Sequence, residues 1–73
     1  MFMEFNLNKL AQRLKELRKE KNLTIVQVAN SVGVSHSAIS TWENALRMPD
    51  VNHVFNLAVY FNVSAGYLIG LED

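Results

Sequence analysis

The residues best suited to chemistry lie in one short segment, Ser35-His36-Ser37. An imidazole beside a hydroxyl can activate a serine nucleophile when a carboxylate orients the ring. Neighbouring side chains on a helix diverge, however, and no carboxylate is placed in the sequence to orient His36. The chain has one further histidine, His53, no cysteine, and no pair of His, Asp or Glu residues with convincing metal-ligand spacing. The sequence therefore argues against an enzyme and predicts no metal or cofactor.

The length and composition describe one small domain that must be held together by packing. The chain has 73 residues, 49% of them hydrophobic, and without cysteine it can form no disulfide. No apolar run approaches the roughly 18 residues that span a bilayer, and the N-terminus lacks the pattern of a signal peptide. We therefore predict a single domain over residues 1–73, with its core at about 7–69, in the cytoplasm and away from membranes.

Charge is unevenly distributed although the formal net charge is zero. Six of the seven cations lie between Lys9 and Lys21, where Glu16 and Glu20 reduce the charge of the segment to +4. The rest of the chain carries −4, and its single cation is Arg47. We interpret most of the basic segment as a solvated helix face rather than a ligand site.

The spacing of apolar residues predicts an all-α fold of five short helices with no strand. Each helix is expected to start at a polar residue that can cap its first turn, namely Asn6, Thr24, Ser35, Asp50 and Ser64. Thr24 and Gln27 have the spacing of a capping box, and Gly33 suits the left-handed turn that would end the second helix. The buried face of the fourth helix is expected to comprise Val51, Val54, Phe55, Ala58 and Phe61.

The second and third predicted helices, joined at Gly33, form a helix-turn-helix. The motifs that surround this unit are, in order, Leu14-Lys15-Glu16-Leu17-Arg18, Leu23-Thr24, Val28-Ala29, Val32-Gly33-Val34-Ser35, Ile39-Ser40, Trp42-Glu43-Asn44, Pro49, and Asn62-Val63-Ser64 before Tyr67-Leu68. At these separations the chain resembles the lambda-repressor-like (Cro/xenobiotic-response-element) helix-turn-helix domains from about Leu7 to Ile69. The resemblance implies a compact five-helix fold whose third helix binds a specific sequence of double-stranded DNA, usually as a homodimer on an inverted-repeat operator.

The outward face of the third helix is the candidate reading surface. With Ala38, Ile39 and Trp42 directed inward, four residues capable of hydrogen bonding remain outside: His36, Ser37, Ser40 and Thr41. The family pattern matches His36, Ser37 and Thr41 to its base-reading positions. A generic helix with this composition would simply have a solvated face, and the helix-turn-helix context favours DNA.

Three further residues are candidates for contacts with DNA phosphates. By the family pattern Ser35 and Asn44 lie near the backbone of the duplex, and Arg47 is the one cation near the expected DNA side. Ser35 caps its helix in either case, and Asn44 has the alternative role of ending it. In the family, the residues that match Arg18 and Glu43 form a partly buried ion pair, which we interpret here as structural because an unpaired carboxylate would repel DNA.

The sequence departs from the family pattern at three positions, Ile25, Val26 and Ala45. Ile25 stands where the family commonly has a phosphate-binding Gln, and Val26 follows it where a charged residue is usual. Ala45 replaces the usual Gly, which costs roughly 1 kcal/mol if the backbone there keeps a positive φ. The few cations on the expected DNA side predict modest affinity per subunit and a shallow salt dependence.

Several apolar residues without a clear place in a five-helix core form a candidate partner surface: Ile25, Val26, Val59, Phe2, Phe5 and Leu71. The alternative for the N-terminal aromatics is that they fold back on the fourth helix. We predict a DNA-binding transcriptional regulator, of the phage or bacterial repressor type, that blocks polymerase by occupying its operator. The competing hypothesis is a protein-interaction module on the same scaffold. The sequence indicates neither the operator nor a small-molecule effector.

Overall fold

The five predicted helices are present in the computed structural model, which describes residues 3–73 and contains no strand in that range. Their bounds are α1 Leu7–Glu20, α2 Ile25–Val32, α3 His36–Glu43, α4 Val51–Phe61 and α5 Ala65–Ile69. The all-α fold class is therefore confirmed. Within residues 3–73 no helix is long and apolar enough to cross a membrane.

Every helix begins at the polar residue that the sequence indicates. Each of these side chains accepts a hydrogen bond from the backbone N–H three residues further on: Asn6, Thr24, Ser35, Asp50 and Ser64. At α2 the capping box is complete, because the backbone N–H of Thr24 donates to Gln27 Oε1 at 2.7 Å while Gln27 N–H donates to Thr24 Oγ1 at 3.0 Å. These contacts satisfy N–H groups that an uncapped helix leaves without partners.

One hydrophobic core holds the helices together. α1 packs on α3 and α5, α2 packs on α3 and α4, and α4 also contacts α5. The buried cluster takes residues from all five helices: Leu10, Leu14, Leu17, Val28, Ala29, Ile39, Trp42, Val54, Leu57, Phe61 and Leu68. Because α3 contributes Ile39 and Trp42 to this cluster, its opposite side is held toward solvent in a defined orientation.

The predicted buried face of α4 is wrong at two positions. Val54, Ala58 and Phe61 are buried as expected, but Val51 is 84% exposed and Phe55 is 62% exposed. Leu57, which the prediction omitted, is fully buried. Successive helical residues are about 100° apart around the helix axis. The buried face of α4 is formed by Val54, Leu57, Ala58 and Phe61. Phe55 lies beyond the edge of this face, and Val51 lies at the side of the face in the first turn.

The C-terminal residues are pinned to α1 by Arg13. Its guanidinium donates to the carbonyl oxygens of Tyr67 and Glu72 and lies 4.2 Å from the centroid of the Tyr67 ring. The carboxylate of Glu72 in turn accepts a hydrogen bond from Ser64 Oγ at 3.0 Å. Arg13 therefore serves the structure, and it is not one of the solvated cations of the basic segment.

The turn after α3 places Ala45 in the left-handed region, with φ of +57°. Leu46 N–H donates to the carbonyl of Thr41 and Ala45 N–H donates to that of Trp42, which is the hydrogen-bond pattern of a Schellman motif. This motif requires a positive φ at its central residue, where Gly is favoured. The backbone thus keeps the conformation that suits Gly although the residue is Ala.

Replacing Ala45 with Gly should stabilise the domain by about 0.5–1 kcal/mol, because the left-handed strain of Ala exceeds the extra chain entropy of Gly. Thermal unfolding should show a midpoint about 2–8 °C higher. Asn62→Gly is the matched control, since Asn62 also has a positive φ, of +56°, but asparagine tolerates this region. An equal gain at both positions, or a loss at Ala45, would contradict the explanation.

Candidate nucleic-acid interface

A single left-handed residue sets the angle between α2 and α3. Gly33 ends α2 with φ of +75°, and the N–H of Val34 then donates to the carbonyl of Ala29 at 3.0 Å. A Cβ at Gly33 would meet no atom within 4 Å. Glycine is therefore needed for its backbone conformation and not for lack of space.

The outward face of α3 carries the four predicted base-reading residues. His36 and Ser37 are exposed in the first turn, while Ser40 and Thr41 are half-buried one turn later. The preceding cap, Ser35, accepts from the N–H of Ala38 at 3.1 Å, which leaves its hydroxyl hydrogen free to donate. The structure thus brings short polar side chains together at the N-terminal part of an exposed helix. Side chains in this position of a helix-turn-helix can reach base edges, and the helix N-terminus can bind phosphate.

The helix-turn-helix has almost no charge of its own. From Asn22 to Leu46 the sequence contains one carboxylate, Glu43, and no lysine or arginine. Glu43 lies on the inner side of α3, with 4% of its side chain exposed. Its position keeps the negative charge away from the outward face that carries His36 and Ser37.

Arg18 of α1 neutralises Glu43 in a two-pronged ion pair. Arg18 Nε donates to Glu43 Oε2 at 2.6 Å and Nη2 donates to Oε1 at 2.9 Å, while Nη1 donates to the carbonyl of Leu23 at 2.9 Å. The hydrogen bond to Glu43, together with the attraction of its charge, raises the pKa of Arg18 although burial acts in the opposite direction. The pair joins α1 to α3 and leaves neither residue available to DNA.

Asn44 is engaged within its own helix end. Its Nδ2 donates to the carbonyl oxygen of Ser40 at 2.8 Å and approaches Ser40 Oγ at 3.3 Å. A phosphate contact from this amide would compete with these hydrogen bonds. In the structure the Asn44 side chain therefore binds the last turn of α3 and helps to end this helix, which is the alternative role that the sequence allowed.

A cleft of about 590 Å³ opens between α3 and the loop that leads to α4. Ser37 and Thr41 line one side, and the exposed Arg47 lines the other. The cleft also contains His53, a residue that the sequence did not indicate for this surface. Its ring lies 5.2 Å from that of Trp42, and Nδ1 lies 3.0 Å from a carboxylate oxygen of Asp50. The sequence places His53 three residues after the cap Asp50, but only the packing of α4 brings its ring beside Trp42 and into this cleft.

The structure brings two members of the predicted partner surface together. Phe5 and Leu71, both exposed, line one groove between the N-terminal residues and the end of α5. Val26 and Val59 are also exposed, whereas Ile25 is half-buried and packs against the core. The sixth member of the predicted set, Phe2, lies outside the described residues.

No group of three histidine or acidic side chains within residues 3–73 is placed to hold a metal ion. Buried side-chain polar atoms in the same range all have hydrogen-bond partners, so no unpartnered group points to a ligand. The surface offers a neutral, hydrogen-bonding helix beside a cleft that is lined by one cation, Arg47, and one carboxylate, Asp50.

Comparison with known proteins places this geometry in a family. The helix-turn-helix family model matches residues 14–68. The chain is 36% identical over 62 residues to the uncharacterised HTH-type transcriptional regulator YobD of Bacillus subtilis (strain 168), which covers 85% of this chain and 55% of YobD. It is 35% identical over 71 residues to the HTH-type transcriptional activator BcrR of Enterococcus faecalis, covering 97% of this chain and 32% of BcrR.

Solved structures show the same architecture. The P22 c2 repressor, determined in complex with a synthetic operator, superposes with a TM-score of 0.82 at 27% identity, covering 86% of this chain and 96% of that one. The chain spans about half the length, or less, of the curated relatives it matches. The family match, the five-helix fold and the shared structure agree: the chain belongs to the lambda-repressor-like helix-turn-helix family.

Proposed function

We propose that this chain forms the DNA-binding domain of a cytoplasmic transcriptional regulator. A homodimer binds an inverted-repeat operator, with α3 of each copy in the major groove. The observation that carries this proposal is the outward face of α3, where His36, Ser37 and Thr41 present hydrogen-bonding groups while Arg18 neutralises Glu43, the one carboxylate of the helix-turn-helix. The names of the relatives, all HTH-type transcriptional regulators, support the same function.

The domain reads bases with short side chains and acts by occupancy, with no catalysed reaction. Hydroxyls and an imidazole can donate to or accept from base edges in the major groove, and the methyl group of Thr41 can contact a thymine methyl. Repression follows when the bound dimer covers a site that polymerase needs. One relative is named an activator, so the direction of regulation depends on where the operator lies and on parts of the regulator beyond this domain.

Affinity per subunit should be modest because few cations face the duplex. The available phosphate ligands near the reading face are Arg47, the hydroxyl of Ser35 and the backbone N–H groups at the start of α3. Each neutralised phosphate contributes about 0.9 to the slope of log affinity against log salt. Few such contacts predict a shallow slope, and two subunits are needed to reach the affinity of a specific site.

Selection of bound sequences from random duplex DNA tests this function. We expect enrichment of an inverted repeat whose half-site centres lie about 10 base pairs, or one helical turn, apart. The selection is run at low salt with protein whose helical circular dichroism shows that it is folded. Failure to enrich any sequence under these conditions would contradict DNA reading and would favour the protein-interaction hypothesis.

A further inference from the structure

His53 has one ring nitrogen beside its own helix cap and the other open to solvent. Nδ1 lies 3.0 Å from Asp50 Oδ1, the same oxygen that accepts the backbone N–H of His53 at 2.9 Å. The buried ring of Trp42 lies 5.2 Å from the imidazole. Nε2 has no hydrogen-bond partner among residues 3–73, and every buried side-chain polar atom in that range has one, so Nε2 is accessible. The ring is therefore held in place with one nitrogen left to bind a group from outside.

We propose that His53 in its protonated form binds a phosphate of the DNA backbone together with Arg47, and that DNA binding takes up a proton at this site. The inference rests on the proposed function, because the duplex that α3 reads supplies the phosphate. His53 and Arg47 line the same cleft as Ser37 and Thr41 of the reading face. Phosphates border the base edges of a duplex, so a helix seated in the major groove brings the backbone against residues at its side.

The carboxylate of Asp50 determines which form of His53 can bind an anion. A neutral imidazole carries one N–H, and its other nitrogen is an acceptor. Asp50 favours the proton on Nδ1, which leaves the lone pair of Nε2 to repel a phosphate oxygen. The imidazolium carries an N–H on both nitrogens, so Nε2 donates to the phosphate while Nδ1 stays beside Asp50. The additional proton comes from solvent.

Protonation also changes the charge of the cleft. With His53 neutral, the positive charge of Arg47 and the negative charge of Asp50 cancel, and the exposed carboxylate opposes a phosphate. With His53 protonated, the cleft has a net charge of +1 and the carboxylate is paired. Asp50 and the phosphate then lie at different nitrogens of the imidazolium, and both anions stabilise its charge.

Within residues 3–73 no further charged side chain lines the cleft. α2 and α5, which pack on α4, contain no Asp, Glu, Lys or Arg, and neither does α4. α3 supplies Glu43, whose charge Arg18 neutralises, and His36, which does not line the cleft. Tyr60 of α4 borders a different groove, and Tyr67 of α5 lies beneath a cation of α1. The two charged residues of the cleft therefore control the proton on this imidazole.

The pH dependence of DNA affinity tests the phosphate site. Fluorescence anisotropy with a pH-insensitive dye measures binding to a duplex of arbitrary sequence at low salt, because phosphates are common to all sequences. Buffers without phosphate cover about pH 8 to pH 6, the range in which imidazole changes charge. Uptake of one proton raises affinity by at most about tenfold per pH unit, and the wild type should gain about threefold or more as the pH falls over this range.

His53→Gln should lose this gain, because its side chain is polar but takes up no proton. The difference between its pH profile and that of the wild type is the readout, since the difference cancels every other titrating group. His36→Gln is the matched control: it removes the other histidine of the chain and should keep the pH profile of the wild type, whatever its affinity. Circular dichroism establishes that each variant is folded.

Asp50→Asn tests the positioning role of the carboxylate. Asparagine caps a helix as well as aspartate does, so α4 should keep its start. The variant should bind the duplex more tightly than the wild type at about pH 8, because the repulsion of the phosphate is gone. Its gain in affinity should begin at a lower pH, because the imidazolium has lost its partner. A carboxylate that only caps the helix would change neither property.

Equal pH profiles for the wild type and His53→Gln would overturn the phosphate site, as would a profile that only His36→Gln flattens. If the wild type selects an operator from random DNA and these profiles are equal, the phosphate site falls and the proposed function stands. If His53 takes up a proton on every duplex and no sequence is selected, the phosphate site stands and sequence-specific regulation falls. A folded wild type that binds no duplex at low salt would contradict both.

Discussion

Replacing Arg18 with methionine should destabilise the domain by about 3–5 kcal/mol, which is the typical cost of leaving a buried charge without its partner. Glu43 would keep a carboxylate with 4% exposure and lose both of its hydrogen bonds from Arg18. The carbonyl of Leu23 would lose a donor as well. Small domains have total stabilities of about 5–15 kcal/mol, so the variant should unfold near ambient temperature or in low concentrations of urea.

Urea unfolding followed by circular dichroism measures this effect. Lys15→Met is the control, because Lys15 is an exposed cation on the same helix and its replacement should change the stability by less than about 0.5 kcal/mol. The double variant Arg18→Met, Glu43→Leu should recover much of the loss, since a buried pair can be replaced by apolar groups at small cost. A midpoint for Arg18→Met equal to that of the wild type would show that the pair does not hold α1 to α3.

The stability that Arg18 contributes should not depend on pH in the ordinary range. The pKa of Arg18 is raised in the folded state by its hydrogen bond to Glu43. A raised pKa means that the stabilisation is complete below the pKa of the unfolded chain and is lost only as the pH rises through the folded value. Because the guanidinium of arginine stays protonated throughout the ordinary pH range even in an unfolded chain, titration of this group should remove no stability between about pH 6 and pH 10.

The double variant His36→Ala, Thr41→Ala should lose sequence selection while keeping its fold. Both side chains lie on the outward face of α3 and neither belongs to the buried core. A good base contact contributes about 1–3 kcal/mol of discrimination, so the loss of two contacts should lower the affinity for the selected operator by about 30-fold or more. Non-specific binding and the salt slope should change little, because neither residue carries a permanent charge that neutralises a phosphate.

Equilibrium titration of the operator and of a scrambled duplex at one salt concentration tests this expectation. Gln12→Ala, Asn52→Ala is the control, since it removes two exposed polar side chains from α1 and α4 and leaves α3 intact. The assignment of readers would be wrong if the α3 variant and the control bound the operator equally. It would also be wrong if the α3 variant lost the same factor on both duplexes, which would indicate general phosphate contacts.

Local chemistry determines where the helices of this chain begin and where the turn after α2 lies. All five caps, the capping box of Thr24 and Gln27, and the left-handed turn at Gly33 are where the sequence placed them. These features depend on residues within three or four positions of one another. The sequence left the backbone at Ala45 open, because alanine disfavours a positive φ, and the structure shows that the turn after α3 keeps this conformation.

The tertiary structure decided which residues of each helix are covered and which polar groups are already in use. Periodicity could not show that Val51 and Phe55 are exposed, because the width of the buried face of α4 depends on where the neighbouring helices end. Nor could it show that Arg13 binds carbonyls 54 and 59 residues away, or that His53 enters the cleft beside Thr41. These arrangements join residues far apart in the chain, and their geometry exists only once the helices pack.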